Sequence, residues 1–360
     1  MTSTFPTTSR VPSVALEKAI SQFDYDAARG YLDAASIGIP PRQAVEAQLA
    51  DLELLRTAKR NPVDYDEIVE RTRGHYARLV GVGIDRVAMG SQTSVMVSLL
   101  AAAVPAGAEV LCVDGDFSSV VFPFQQRKDI RVRSVPLELL ASSIGAETWL
   151  VAFSIAQSSS GAIADVDAIT LAAERHGAYT VCDTTQAAGV YPVDATLFDA
   201  TICHAYKWLC SPRGVAFLTL SERFDRQLTP LQAGWYAGDD VWQSCYGPAM
   251  LLAPAARRFD VSPAWQAWVG AEPAIRLFAE LDIAEIWERT TRLGDSLCDA
   301  LGIAQQHQAI VTWADPDGTD LARLTASGLT VSGRAGRLRT AFHLWNNDSD
   351  VAAAAVALGK

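Results

Sequence analysis

Thr180-Val-Cys-Asp-Thr-Thr-Gln-Ala-Ala-Gly189 and, a little further on, His204-Ala-Tyr-Lys-Trp-Leu-Cys-Ser-Pro-Arg-Gly214 decide how this chain is read. In the first segment an acid, Asp183, closes an apolar strand. In the second a lysine, Lys207, sits in a polar and aromatic bend. The chain has only five lysines, Lys18, Lys59, Lys128, Lys207 and Lys360. The other four lie in polar or terminal contexts. Lys207 lies between two apolar strand candidates, Ala200–Cys203 and Val215–Leu220. A lysine placed there loses hydration unless a partner compensates. Desolvation lowers its pKa, which is what an amine nucleophile needs. On this stretch alone, a lysine that snorkels or pairs with a carboxylate is an equally good reading.

The whole chain bounds the answer. Its 360 residues allow one large or two medium domains with ample core. A net charge of -11 argues against a nucleic-acid or anionic-membrane surface, since both favour basic patches. A small anionic ligand held by local groups stays possible. The cysteines are Cys112, Cys182, Cys203, Cys210, Cys245 and Cys298, with no C-x-x-C pair and several in apolar runs. They read as reduced, mostly buried thiols of a cytoplasmic protein, and no metal site is expected. Residues 1–13 lack an apolar signal core and are expected to form a ragged terminus. The most apolar region, 94–113, is interrupted by Pro105, Gly107 and Glu109, so it reads as helix, turn and strand rather than a membrane span.

Periodicity predicts a short helix over 13–29, a strand from Tyr31 into the Gly/Pro turn ending at Pro41, and helices over 41–59 and 64–80. Strands are expected at 86–89, 109–113, 131–135, 148–153, 179–182, 200–203 and 215–220. Helices at 94–103, 118–127 and 165–176 fall between them. That alternation argues for a mostly parallel sheet covered on both faces. Residues 225–265, rich in Gly, Pro, Trp and Tyr, read as a long functional or interfacial excursion. A long helical stretch over 267–301 follows. The end reads as a small α+β unit: strand 308–313, helix 319–327, strands near 329–332 and 337–342, and a helix from Asp348.

Ligands of parallel α/β sheets collect beyond the carboxyl ends of the strands. Ser91, Gln92 and Thr93 follow a strand and precede a helix, which makes either an anion site or an ordinary N-cap. Phe117 follows the next strand and reads as a ring-covering group or as core. Ser158, Ser159, Ser160 and Gly161 follow another strand as a loop. Asp183 ends its strand with Gln186 three residues on. One cofactor uses this whole set. Pyridoxal phosphate needs a lysine for its aldehyde and a carboxylate to keep the ring nitrogen protonated. It also needs an anion site for its phosphate and a flat group over the ring.

The residues carry a resemblance. Asp183-Thr-Thr-Gln-Ala-Ala-Gly189 resembles the D-x-x-Q-x-x-G segment of class V aminotransferases, the cysteine-desulfurase-like group of fold-type-I enzymes. Tyr206-Lys-Trp-Leu-Cys-Ser-Pro-Arg-Gly214 is similar to the segment that carries their Schiff-base lysine. Further likenesses follow in order. These are Tyr31-Leu-Asp-Ala-Ala-Ser-Ile-Gly38 to the N-terminal strand, Gly90-Ser-Gln-Thr93 to the phosphate turn, and Asp114-Gly-Asp-Phe117 to the ring-stacking segment. Arg258-Phe-Asp-Val-Ser-Pro263 resembles the element that reaches the partner subunit's phosphate, and Arg339–Asp350 the carboxylate-binding element. The resemblance implies an α/β fold of the type-I pyridoxal-phosphate transferases with a mostly parallel central sheet. It implies a large domain, 31–264, and a small α+β domain, 265–360, joined by residues 1–30. Lys207 is then the Schiff base and Asp183 the ring-nitrogen partner. Gln186 and Ser158 lie near the ring oxygen, and Phe117 stacks on the ring. Gln92, Thr93, His204 and Tyr206 take the phosphate, with Ser262 reaching it from a second subunit of a homodimer that shares its active sites. Arg339 binds the carboxylate of a small amino-acid substrate, a bidentate task that suits guanidinium.

Three departures narrow the reaction. Phe117 stands where desulfurases have His, and Phe cannot transfer protons. His204 and Tyr206 replace the usual Ser and His before the lysine, yet both can still donate to a phosphate. The segment Val331–Leu338 has no cysteine to take sulfur. A carbon–sulfur lyase, or another β-elimination of a cysteine-derived substrate, therefore leads, and the chain also resembles short family members of ergothioneine biosynthesis. An aminotransferase or an isopenicillin-type epimerase uses the same constellation. A desulfurase or a non-catalytic cofactor-binding regulator fits less well.

Overall fold

The computed structural model describes residues 12–23, 25, 28–334 and 336–360. After α1 (Val14–Ser21), α2 (Arg42–Arg56) and α3 (Asp64–Leu79), strands and helices alternate: β1 (Val87–Gly90), α4 (Thr93–Ala102), β2 (Glu109–Val113), α5 (Ser118–Gln125) and β3 (Arg131–Val135). There follow α6 (Leu140–Ser143), β4 (Thr148–Ser154), α7 (Val166–His176), β5 (Tyr179–Asp183), β6 (Ala200–His204), β7 (Ala216–Leu220) and α8 (Glu222–Asp225). They build one seven-stranded sheet in the order β1-β7-β6-β5-β4-β2-β3. Only β7 runs against its neighbours. The fold is therefore the expected mostly parallel α/β arrangement.

Apolar runs become strands here because both faces are covered. Val181 faces one core with Val110, Leu150 and Ile202, while Cys182 faces another with Leu111, Val151 and Phe153. A continuous apolar run suits a strand buried on both sides. Each parallel strand delivers its last residue to the same edge. Asp183, at the end of β5, is in register with Ser154 of β4 and Ile202 of β6.

The excursion after α8 carries only short turns, at Trp235–Ala237, Gln243–Cys245 and Ala255–Phe259. Its end is fastened by a buried ion pair. Arg73 Nη2 donates to Asp260 Oδ2 at 2.6 Å, and Asp260 Oδ1 accepts the Met89 amide of β1 at 2.8 Å.

The single long helix expected over 267–301 is two: α9 (Trp265–Ala279), packed on α2 and α3, and α10 (Ile283–Leu301). Asp282 separates them by accepting the Ala284 amide at 3.0 Å as an N-cap. The small unit contains β8 (Ile310–Ala314), α11 (Thr319–Ala326), β9 (Ser332–Arg334), β10 (Arg337–Ala341) and α12 (Asp348–Ala357), with sheet order β8-β10-β9.

The first expected helix stops at Ser21, and residues 1–11 of the expected ragged terminus lie outside the described residues. The expected strand from Tyr31 forms only isolated bridges, Tyr31 to Thr330 and Asp33 to Ala341. Leu32 donates its amide to Thr330 at 2.8 Å and accepts that of Ala341 at 2.7 Å. Asp350, N3 of the α12 capping box, also accepts the Gly30 amide at 2.8 Å. Residues 30–33 are thereby held to the C-terminal unit. No described helix is long and apolar enough to cross a membrane.

Candidate active site

β6 ends at His204 and the chain turns back at once. The Ala205 amide donates to Val215 O at 3.0 Å and that of Cys210 to Lys207 O at 3.0 Å. Lys207 points out of this turn yet is only 5% exposed. Burial holds its amine down to about 8, against the opposing pull of Asp183. Asp183 is buried beside it, and burial pushes its carboxyl up to about 6 although Thr185 donates to Oδ1 at 2.7 Å and Lys207 pulls the other way. An acid and an amine thus move toward each other's range in one dry corner. Two glycines make this packing possible. A Cβ on Gly38 would collide with the Lys207 carbonyl. Gly189, at φ 99°, lets the Trp208 carbonyl come within 2.7 Å of where a Cβ would stand.

Phe117 caps α5, and Asp116 Oδ1 accepts its amide at 2.6 Å. Asp116 also takes the Ser154 amide at 2.8 Å and hydroxyl at 2.6 Å, so the Phe117 turn is tied to the end of β4. The Phe117 ring centroid lies 5.4 Å from Lys207 Nζ. Gln92 and Thr93 open α4 with no side-chain capping bond. The His204 ring meets Tyr206 edge-on at 4.4 Å. His204 is nearly enclosed, and its Nε2 has no partner among the described residues. Burial, with Arg213 and Lys207 nearby, holds this imidazole down to about 4, so it is neutral at physiological pH. Gln92, Thr93, Phe117, His204, Tyr206 and Lys207 line one open cleft, with Ser94, Ser119, Thr185 and Arg213 completing it.

Ser158, Gln186 and Arg339 form a second cluster joined to this turn. Trp208 donates its indole N–H to Gln186 Oε1 at 2.7 Å. Gln186 Nε2 donates to Ser158 Oγ at 3.1 Å and to Ala35 O at 3.0 Å. Arg339 is buried, and its five N–H groups already have acceptors. Nε bonds Ser332 Oγ at 3.1 Å, and Nη1 bonds Ser158 O at 2.7 Å and Oγ at 3.3 Å. Nη2 bonds Ser36 Oγ at 2.7 Å and Asp33 Oδ1 at 3.3 Å. Ser262, assigned from sequence to a neighbouring subunit's site, is exposed and does not line its own chain's cleft.

Sequence reasoning gave no role to Thr185, Arg213, Trp208, Asp33 or Ser36. All five lie inside the quoted segments; Thr185 and Arg213 stand at positions the motifs leave open, and Trp208 at one the lysine motif fixes. Thr185 Oγ1 accepts the His204 amide at 3.0 Å and so ties the Asp183 turn to the end of β6.

The sequence profile of the Aminotransferase class-V family matches residues 42–324. The chain belongs to that family. Among curated class-V relatives, a kynureninase from Deinococcus radiodurans is 29% identical over 299 residues, covering 77% of this chain and 72% of that protein. An isopenicillin N epimerase from Streptomyces clavuligerus is 26% identical, covering 71% and 72%. Among solved structures, a cystine C-S lyase bound to cysteine persulfide superposes with a TM-score of 0.83 at 17% identity, over 92% of this chain and 97% of that one. That likeness concerns the fold, which is that of the type-I pyridoxal-phosphate enzymes.

The class-V cofactor fits the residues present. A buried imidazole nitrogen without a partner and an uncapped helix N-terminus face one cleft, as a bound anion requires. An amine held down to about 8 by burial and a buried carboxylate lie together behind them.

Proposed function

We propose that this protein is a pyridoxal-phosphate enzyme that breaks the carbon–sulfur bond of a cysteine-derived amino acid by β-elimination. The observation that carries the cofactor assignment is Lys207, buried against Asp183 beneath the Phe117 ring, with His204 Nε2 unpartnered in the same cleft. When bound, the cofactor supplies an electron sink that weakens bonds at the substrate's Cα and Cβ. Lys207 would hold its aldehyde carbon, and Asp183 would keep the proton on its ring nitrogen. Thr93, Tyr206, His204 and the Gln92 turn would hold its phosphate, and Gln186 and Ser158 would approach its ring oxygen. Lys207, its amine near neutrality, is the group suited to take the Cα proton and return it to a leaving sulfur. Phe117 would shield the ring face, and it has no proton to exchange.

The absence of a thiol acceptor supports elimination over sulfur transfer. None of the six cysteines lines the cleft, and all but Cys245 are buried. The epimerase and kynureninase relatives favour a second reading, amino-acid epimerisation or a related class-V cleavage, which begins with the same Cα deprotonation. Arg339 would receive the substrate carboxylate by exchanging internal acceptors.

The same proposal includes a cytoplasmic homodimer in which Ser262 approaches the other subunit's phosphate. It also divides the chain into a cofactor domain, 31–264, and a small domain, 265–360 with 1–30. The deciding experiment incubates the purified protein with S-substituted cysteines, L-kynurenine and a panel of amino acids. Pyruvate and ammonia from a cysteine conjugate are expected. Loss of optical activity, or anthranilate and alanine from L-kynurenine, without pyruvate would instead establish the second reading, and keto-acid exchange would mark an aminotransferase.

A further inference from the structure

Arg213 is the penultimate residue of the lysine motif, and its guanidinium opens onto the cleft. It stands over the face of Tyr206, with Cζ 4.8 Å from the ring centroid, and has no ion pair or hydrogen bond with another described residue. By contrast, Arg73, Arg223, Arg258 and Arg339 are all matched to carboxylates. An unpaired guanidinium fixed on an aromatic face beside a cleft is a prepared anion receptor.

Charge balance says which anion. A phosphate monoester carries roughly −1.5 to −2 at neutral pH. The α4 N-terminus contributes only about half a charge. Thr93 and Tyr206 offer neutral hydroxyls, and His204 is enclosed with a free nitrogen but no full charge. Lys207 is directed to the cofactor's aldehyde carbon and balanced by Asp183. Arg213 is the remaining cation that lines the cleft.

We propose that Arg213 is the charge-bearing ligand of the cofactor phosphate, held in place by the Tyr206 ring. The assignment rests on the cofactor reading above. It gives Tyr206 a second duty, as the platform that orients the guanidinium. It also makes the phosphate site depend on ionic strength, because Arg213 is exposed.

The test is direct binding to protein stripped of its cofactor. Wild type, Arg213→Gln and Arg213→Lys are titrated with pyridoxal phosphate and with pyridoxal, following visible absorbance and tryptophan fluorescence. Arg213→Gln should weaken pyridoxal phosphate by about 10- to 100-fold, the range of a charge-assisted hydrogen bond, and leave pyridoxal unchanged. Arg213→Lys should retain part of the preference, and added salt should shrink the preference of wild type and Arg213→Lys but not that of Arg213→Gln. Inorganic phosphate should compete with pyridoxal phosphate less well in Arg213→Gln than in wild type. Equal affinity of Arg213→Gln and wild type for pyridoxal phosphate overturns the proposal. So does a parallel loss for both ligands, which would place Arg213 at the substrate or in the structure of the turn. If wild type itself binds neither ligand, the cofactor reading falls, an outcome distinct from both.

Discussion

The Asp33 carboxylate lies 3.3 Å from Nη2 of Arg339, and both side chains are buried. The guanidinium proposed to receive substrate is thus already partnered by an internal acid. A substrate carboxylate must compete with that acid and with Ser36. Asp33→Asn keeps an acceptor for Ser332 and Arg339 but removes the competing charge. Its KM for the amino acid should fall by roughly fivefold, ~1 kcal/mol, with kcat little changed. Steady-state kinetics decide this, and a rise in KM would mean that Asp33 chiefly orients the guanidinium.

The proposed Schiff-base role requires Lys207 to be neutral when it captures an aldehyde. With its amine held down to about 8, uptake of cofactor by the stripped protein should quicken as pH rises, with a midpoint near that value. Asp183 opposes the depression, so Asp183→Asn should move the midpoint lower. Stopped-flow uptake rates across pH measure it. Lys207→Ala should yield no borohydride-reducible yellow absorbance.

Gly38 donates its amide to Tyr206 O at 2.9 Å and has no room for a Cβ against the Lys207 carbonyl. Gly38→Ala must displace the lysine turn. A folded variant by circular dichroism that retains no cofactor absorbance is expected, and normal loading would contradict the close contact.

His343 is fully buried among Phe23, Trp208, Phe278 and Trp345. Its Nδ1 accepts the Leu344 amide at 2.8 Å, so Nε2 carries the proton and donates to Trp208 O at 2.8 Å. His343→Phe leaves both partners without their bond and should cost about 2–4 kcal/mol, read as a lower denaturation midpoint. Burial holds the imidazole down to about 4 from 6.5. The unfolded chain therefore binds the proton first, and stability from this group is lost as pH falls from about 6.5 to 4. The wild-type advantage over the variant should shrink across that window.

Much of the site was legible because chemistry and strand ends coincide. Asp183, His204 and Lys207 stand where apolar runs stop, and desolvation there demands partners. The break between α9 and α10 was also written in the sequence. Asp282-Ile-Ala-Glu285 has the spacing of a capping box, but the helical period on both sides masked it. Arg213 stood in plain view without a role, because only the fold shows that no described carboxylate reaches it. The acceptors around Arg339 were beyond sequence reasoning. Ser36 and Ser158 lie far from Arg339 along the chain, and neither pattern nor spacing predicts such a meeting.

The bond from Gly30 to Asp350 spans 320 positions, and Asp33 and Ser36 lie just beyond it. During synthesis, at roughly 5–20 residues per second, the first residues of the site must wait for almost the whole chain. The large sheet can form earlier, yet Arg339 and its ring of acceptors close only when the last strands and α12 leave the ribosome. A nascent chain can therefore own its lysine and acid well before it owns the proposed place for substrate.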